Sequence, residues 1–195
     1  LRSGQHAKPE RELILPALES DDVVMELGGG VGHLSTRCSK ILGSDRVFTF
    51  EANPELEPLM RENFRLNGVR PTAEFCMLGH TEGCVAFYVN RDFWASSREP
   101  GIDGRRIEVP VYLVNDRIRD IDPSFLVVDV EGGERDLFDG LDFHNIRKLM
   151  LEVHVDLLGE EEVERILGLI TAAGFTLDRQ IPPCLLFRRN PAGFS

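Results

Sequence analysis

Two apolar runs of this chain end in side chains that can carry a proton. Phe125-Leu126-Val127-Val128 runs into Asp129-Val130-Glu131, and Lys148-Leu149-Met150-Leu151 runs into Glu152-Val153-His154. Side chains alternate across an extended strand, so Glu152 and His154 share a face. An imidazole titrates near neutral pH and can act as a general base, with a carboxylate orienting its ring. His154, Asp129 and Glu131 are therefore the candidate catalytic residues. Each has an ordinary alternative: a solvated histidine at a strand end, or a carboxylate capping the following helix. Asp129, Glu131, Glu152 and His154 together are also a donor set of the kind that holds a hard divalent ion. No metal ligand is assigned from sequence.

A second constellation lies upstream, in Val23-Val24-Met25-Glu26-Leu27-Gly28-Gly29-Gly30-Val31-Gly32. It opens as an apolar run too short for a helix and suited to a buried parallel strand. It then breaks into glycines at Gly28, Gly30 and Gly32, with Glu26 two residues ahead. His33 to Leu42 follows as a helix stopped by Gly43. Strand, glycine turn, helix lets backbone approach a nucleotide-like ligand. The E-x-G-x-G-x-G spacing differs from the dinucleotide form G-x-G-x-x-G and argues against a nicotinamide dehydrogenase. A further strand, Arg46 to Phe50, ends at Glu51, where a carboxylate can accept hydrogen bonds from both hydroxyls of a ribose.

The rest of the chain reads as elements that position these groups. Pro9 to Leu18 has helical spacing interrupted by Pro16. Pro54 opens a helix that Pro58 delays and Asn67-Gly68 ends. Thr72 to Met77 reads as a third strand with Leu78-Gly79 as its exit. Cys84 to Val89 and Arg105 to Val114 read as a hairpin-like or edge addition, the second broken by Pro110. Between them, Asn90 to Gly104 holds the single tryptophan, Trp94, and is long enough to serve as a lid over a ligand. Asp136 to Leu141 is a brief helix. Glu160 to Ala173 is an amphipathic one, and Phe175 to Gln180 and Cys184 to Arg189 are the final strands. Strands alternating with helices make this an α/β sheet with helices on both faces, in one domain spanning 1–195 with 1–8 frayed.

The net charge is −11. That disfavours nucleic acid or an anionic membrane as partner. No run is long enough to cross a membrane, and no secretory signal is visible. The chain begins at Leu1 rather than Met, which leaves room for a preceding piece. Cys38, Cys76, Cys84 and Cys184 match no zinc spacing; buried free thiols in a reducing, cytoplasmic compartment are the expectation.

The glycine motif, Phe50-Glu51-Ala52-Asn53-Pro54, and Asp129-Val130-Glu131-Gly132-Gly133-Glu134 with Leu151-Glu152-Val153-His154 together resemble a class I S-adenosylmethionine-dependent methyltransferase, and more narrowly the FkbM family. The resemblance spans about Val23 to Arg189, with the D-V-E-G-x-E block the most specific to the family. Two departures move toward the general class I pattern. Glu26-Leu27-Gly28-Gly29-Gly30 stands where the family usually has D-V-G-A-N, and Ala52 stands where it has the first proline of E-P-x-P.

The resemblance implies a Rossmann-like, mostly parallel seven-stranded sheet whose last strand is antiparallel, carrying a small β insertion. It implies S-adenosyl-L-methionine as cofactor, held by Glu26, Gly28, Gly30, Gly32, Glu51, Ala52, Asn53, Leu78 and Asp129. The expected activity is methylation of a hydroxyl on a small molecule or sugar. A non-catalytic cofactor-binding module keeps the same glycine motif, and the acids and His154 at the strand ends favour the enzyme. The acceptor and the oligomeric state are not written in the sequence.

Overall fold

A computed structural model describes residues 8–89, 105–130 and 133–189. The central strands β1 (Val24–Leu27), β7 (Phe125–Val128) and β8 (Lys148–Glu152) are buried almost throughout, as near-continuous apolar runs in a parallel sheet must be. With β2 (Val47–Phe50), β3 (Thr72–Glu74), β9 (Phe175–Ile181) and β10 (Cys184–Arg189) they form a seven-stranded sheet of order β3-β2-β1-β7-β8-β10-β9. All neighbours pair parallel except β10, which runs antiparallel to both β8 and β9.

Strand parity separates two cores. Met25, Leu27, Leu126, Val128, Leu149 and Leu151 point to one face. There they pack with Val114 and Ile118 of α4 (Val114–Ile121), Leu137 of α5 (Glu134–Leu137), and Ile166 and Ile170 of α7 (Glu160–Ala172). Val24, Phe125, Val127 and Met150 point to the other face. They meet Leu13 and Ile14 of α1 (Lys8–Ile14) and Leu34 and Cys38 of α2 (His33–Leu42). Alternation then assigns Glu26, Asp129 and Glu152 to this second face, each at or just past the C-terminal end of its strand.

The lower end of that face is pinned by Lys148, which is 2% exposed. Its ammonium donates to Asp22 Oδ2 at 2.6 Å and to the Ala17 carbonyl at 2.9 Å. This holds the turn after α1 at the N-terminal edge of the sheet, so the start of α1, with Glu10, lies toward the C-terminal edge. Pro16 limits α1 as expected: the helix stops at Ile14 and a 3-10 turn, Leu15–Ala17, contains the proline.

Several boundaries differ from the sequence reading. The expected third strand divides into β3 and β4 (Met77–Gly79), which sit in different sheets. β4 pairs parallel with β6 (Arg105–Leu113), which pairs antiparallel with β5 (Gly83–Val89), so the β addition is a separate three-stranded sheet. Helix α4 was not legible: only Val114 and Ile118 are buried in it, and it ends on Asp122, a non-glycine residue in the left-handed region at φ 52°. The helix expected from Asp136 is α5, four residues long and beginning at Glu134. Three thiols are buried, and Cys84, on β5, is exposed. The expected lid, Asn90 to Gly104 with Trp94, lies outside the described residues.

The turn after β1 is set by contact. A Cβ on Gly28, at φ 89°, would lie 1.6 Å from the Asp129 carbonyl oxygen, whereas one on Gly30 would meet nothing within 4 Å. Gly28→Ala should therefore cost more than about 3 kcal/mol, because backbone must move. Gly30→Ala should cost about 1 kcal/mol, from its positive φ alone. Calorimetric melting of the two variants side by side checks the difference; equal losses would mean that the turn can move.

Candidate functional site

The glycine turn and the acid at the end of β2 are joined directly. Oε2 of Glu51 accepts from the Gly30 N–H and Oε1 from the Asn53 N–H, both at 2.7 Å. Burial pushes the Glu51 carboxyl up, and the N–H groups of Asn53, Gly30 and Ala52 pull it back. The Gly28 and Gly29 N–H groups are spent on the Phe50 carbonyl at 2.9 and 3.0 Å. Asn53, also buried, accepts from the Glu55 N–H, while its Nδ2 has no hydrogen-bond partner among the described residues. Glu26 is buried one pleat below. Desolvation raises its carboxyl to about 8; Thr49 and Ser35 hydroxyls beside it offset part of that rise, and Asp129 and Glu51 add to it. Neither hydroxyl is aligned for a hydrogen bond, and Glu26 Oε2 has no partner among the described residues. Leu78 is placed on β4, half-buried against the core that contains Leu27, Phe50 and Val128.

The second group gathers at the adjoining strand ends. Val128 is level with Leu151, so Asp129 and Glu152 leave the sheet side by side. His154 lies beyond β8, at the start of α6 (Val155–Leu158), with φ −99° and ψ 73°. It does not end the strand, as the sequence reading had it. Its Nδ1 is 2.8 Å from Oε1 of Glu134, and its Nε2 is 3.5 Å from Asp129 Oδ1 and 3.9 Å from Glu152 Oε1. The carboxylate that orients the ring is thus Glu134 rather than Glu152. A carboxylate can only accept, so an ionised Glu134 assigns the proton to Nδ1 and leaves Nε2 facing Asp129 and Glu152. Glu134 is fully buried, while His154 is 15% and Asp129 29% exposed in the side chain. The dyad is anchored below and reachable above. Asp129 does not cap α5, whose N-cap is Gly133 without any side-chain hydrogen bond. Glu131 lies outside the described residues. His33 is exposed at the start of α2.

Two residues of this region were missed. Glu134 was visible within the D-V-E-G-G-E block, but its burial was not. Glu10 was passed over although it lies three and four residues before Leu13 and Ile14, in line with the buried stripe of α1. Burial, with Glu26 and Glu152 nearby, raises its carboxyl to about 8. The Cys184 thiol approaches Glu152 Oε2 at 3.6 Å. Burial and that carboxylate push it well above the usual thiol range, so it is not a nucleophile.

Known proteins place this arrangement. The model of the methyltransferase FkbM domain matches residues 28–177, which takes in the glycine turn, Glu51, the Asp129–Glu134 loop and His154. The chain belongs to the FkbM methyltransferase family. Its cofactor is S-adenosyl-L-methionine. The residues fit that group: the side of Gly30 is open, and Asn53 Nδ2 and Glu26 Oε2 are buried and unmatched beside it. The fold is similar to that of a precorrin-6y C5,15-methyltransferase from Geobacter metallireducens (TM-score 0.54, 12% identity, 88% of this chain and 83% of the other). It is also similar to that of a ribosomal protein L11 methylase from Lactobacillus delbrueckii subsp. bulgaricus (TM-score 0.51, 16% identity, 90% and 74%). At these identities the likeness is one of fold. No curated protein matches the chain. No helix among the described residues is long and apolar enough to cross a membrane.

Two expectations follow for the family member. Glu51→Ala should weaken S-adenosylmethionine binding about tenfold or more. It should also lower ligand-free stability by about 1–3 kcal/mol, because the buried N–H groups of Gly30 and Asn53 lose their acceptor. Calorimetry of binding and of melting checks both; unchanged affinity would remove Glu51 from the site.

The raised carboxyls give a pH dependence. Glu10 and Glu26 keep their protons in the fold to about pH 8, while in the unfolded chain they lose them near 4.5, as an exposed glutamate does. Between those values the native state binds more protons, so stability falls as pH rises from about 5 to 8, at up to about 1.4 kcal/mol per unit for each group. Glu26→Gln should flatten the fall in melting temperature across that window, and an unchanged slope would mean that Glu26 is ionised in the ligand-free fold.

Proposed function

We propose that this family member methylates a hydroxyl oxygen on a small molecule or sugar. S-adenosyl-L-methionine, when bound, supplies a methyl group already activated for transfer. The observation that carries the reading is the histidine held by a buried carboxylate, with its other nitrogen turned to the rim beside the glycine turn. A neutral hydroxyl is a poor nucleophile and must lose its proton as it attacks. His154 is placed to take that proton at Nε2, and Glu134 to steady the ring and the imidazolium that forms. Asp129 and Glu152 flank the same nitrogen, where their charge favours the imidazolium that forms, and they can accept from other hydroxyls of the acceptor. Val155 and Leu157, 44% and 53% exposed just past His154, offer an apolar rim for the rest of the acceptor.

The net charge of −11 and the acidic rim support a small-molecule or sugar acceptor over nucleic acid. Free thiols, buried at Cys38, Cys76 and Cys184 and exposed at Cys84, suit a reducing compartment such as the cytoplasm.

His154→Ala should lower the single-turnover rate by about a hundredfold or more with little change in cofactor affinity. Glu134→Gln should fall between the variant and the parent. Rates measured against a panel of hydroxylated metabolites and glycans, with the product identified by mass, decide it. Near-parental turnover by His154→Ala would end the base assignment, and methyl recovered only on nitrogen or carbon would end the hydroxyl assignment.

A further inference from the structure

The three side chains at the rim have a geometry that the base assignment does not require. The ligand-capable atoms of Asp129, Glu152 and His154 all lie within 4.8 Å of one another. Two atoms each bonded at about 2.1 Å to one ion are about 3.0 Å apart at a right angle and about 3.4 Å apart at a tetrahedral one. The observed 3.5 Å from His154 Nε2 to Asp129 is already at that spacing, and the 3.9 Å to Glu152 closes with a small side-chain adjustment.

Glu134 supplies the second half of a metal site. It is fully buried, its Oε1 engages His154 Nδ1 at 2.8 Å, and its Oε2 has no hydrogen-bond partner among the described residues. A carboxylate on the far nitrogen of an imidazole is the arrangement that fixes the tautomer and raises the basicity of metal-ligating histidines. The surroundings also call for positive charge. Glu134 and Glu152 make no ion pair with any lysine or arginine among the described residues. The other grouping of acids, Glu19, Asp21 and Asp22, is different in kind: it is paired to Lys148 and Arg147.

We propose that Asp129, Glu152 and His154 bind one divalent first-row cation, of the manganese or zinc type, through two carboxylate oxygens and Nε2. One imidazole among oxygen donors favours such an ion over magnesium or calcium. Three protein ligands leave positions open for water or for the acceptor hydroxyl. The cation and the proton compete for the same lone pair on Nε2. In the loaded form the cation would lower the pKa of a bound hydroxyl, whose proton would pass to solvent at the rim; in the ion-free form His154 takes the proton. Only this consequence rests on the methyltransferase reading. The binding claim stands apart from it.

The test is titration of the chelator-stripped full chain with Mn2+, followed by electron paramagnetic resonance, and with Zn2+ and Mg2+ by calorimetry, all without cofactor or acceptor. One equivalent of Mn2+ or Zn2+ should bind, with Mg2+ at least tenfold weaker. Asp129→Asn and Glu152→Gln should each weaken binding tenfold or more, and Glu134→Gln about 10- to 100-fold. Asp21→Asn should leave it unchanged. Melting curves of the same variants show that they fold. No stoichiometric binding by the parent, or binding that survives both Asp129→Asn and Glu152→Gln, would overturn the proposal. Parent protein that binds the ion but not S-adenosylhomocysteine would instead count against the methyltransferase reading and leave the ion site standing.

Discussion

The carbonyl oxygen of Asp129 occupies the space that a side chain on residue 28 would need, and the rest of the site depends on that contact. It arises because the parallel ladder between β1 and β7 runs one step beyond both strands: the Asp129 N–H donates to the Leu27 carbonyl at 2.9 Å. The first turn of the cofactor loop must then rise directly beside the loop that carries Asp129. Two other glycines are fixed in the same way. A Cβ on Gly29 would strike Thr49 Oγ1 at 2.1 Å, and one on Gly32 would strike Phe64 and Met60 at 2.6 and 2.9 Å. Gly30 alone borders open space. The glycine motif therefore has two jobs: three positions lock the loop to β7, β2 and α3 (Glu57–Asn67), and one leaves room for a ligand. The cofactor loop and Asp129 are in direct backbone contact, so a ligand seated on the first lies in register with the second.

Strand parity does the same for charge. Glu26, Asp129 and Glu152 fall on one face because their positions in β1, β7 and β8 are in phase, and α1, tethered at its lower end by Lys148, adds Glu10 from above. Burying so many carboxyls is costly, and the fold limits the cost by raising the carboxyls of Glu26 and Glu10 so that they keep their protons. Neighbours made of alanine or leucine would remove that penalty outright. A surface that retains acids where apolar residues would be more stable is the mark of a place that meets positive charge or protons. By contrast, the buried Lys148–Asp22 pair at the other end of the same strands is matched atom for atom and serves position only.

What could be read from the chain and what could not divides along physical lines. The strand–turn–helix around Gly28, the stop at Gly43 and the helix ending at Gly68 were legible, because apolar runs and glycines are local signals. The reversed β10 came from the family resemblance; nothing in Cys184 to Arg189 itself says which way the strand runs. Helix α4 was lost because two buried residues make too thin a stripe, and because its C-terminal cap is an aspartate rather than a glycine. Glu134 and Glu10 were lost for a different reason. Both are acids on short helices, and an acid near a helix start reads as solvated until the tertiary fold closes over it. His154 lies beyond the strand it was expected to end and meets Glu134 rather than Glu152, since alternation along a strand says which residues share a face but not which loop folds back to meet them.

The distribution of acids also bears on where the rate acceleration arises. Carboxylates around the cofactor's positive end attract the sulfonium most strongly before transfer, when its charge is whole, and less as that charge is lost. Such contacts favour binding and work against the step itself, since only interactions that strengthen toward the transition state speed a reaction. Glu26 and Glu10, largely protonated and set back from the rim, keep that opposing attraction small. For the hydroxyl acceptor proposed above the balance is reversed. A neutral hydroxyl gains positive character as it attacks and must shed a proton, so a base or an acidifying ion beside it interacts more strongly at the transition state than in the ground state. The geometry separates the two regions accordingly. Glu26 is buried beside the glycine turn, and the more accessible cluster of Asp129, Glu152 and His154, braced by Glu134, lies at the rim, where the proposed acceptor would enter. The contact of Gly28 with Asp129 sets the spacing between the two regions, and with it the alignment that the proposed transfer would need.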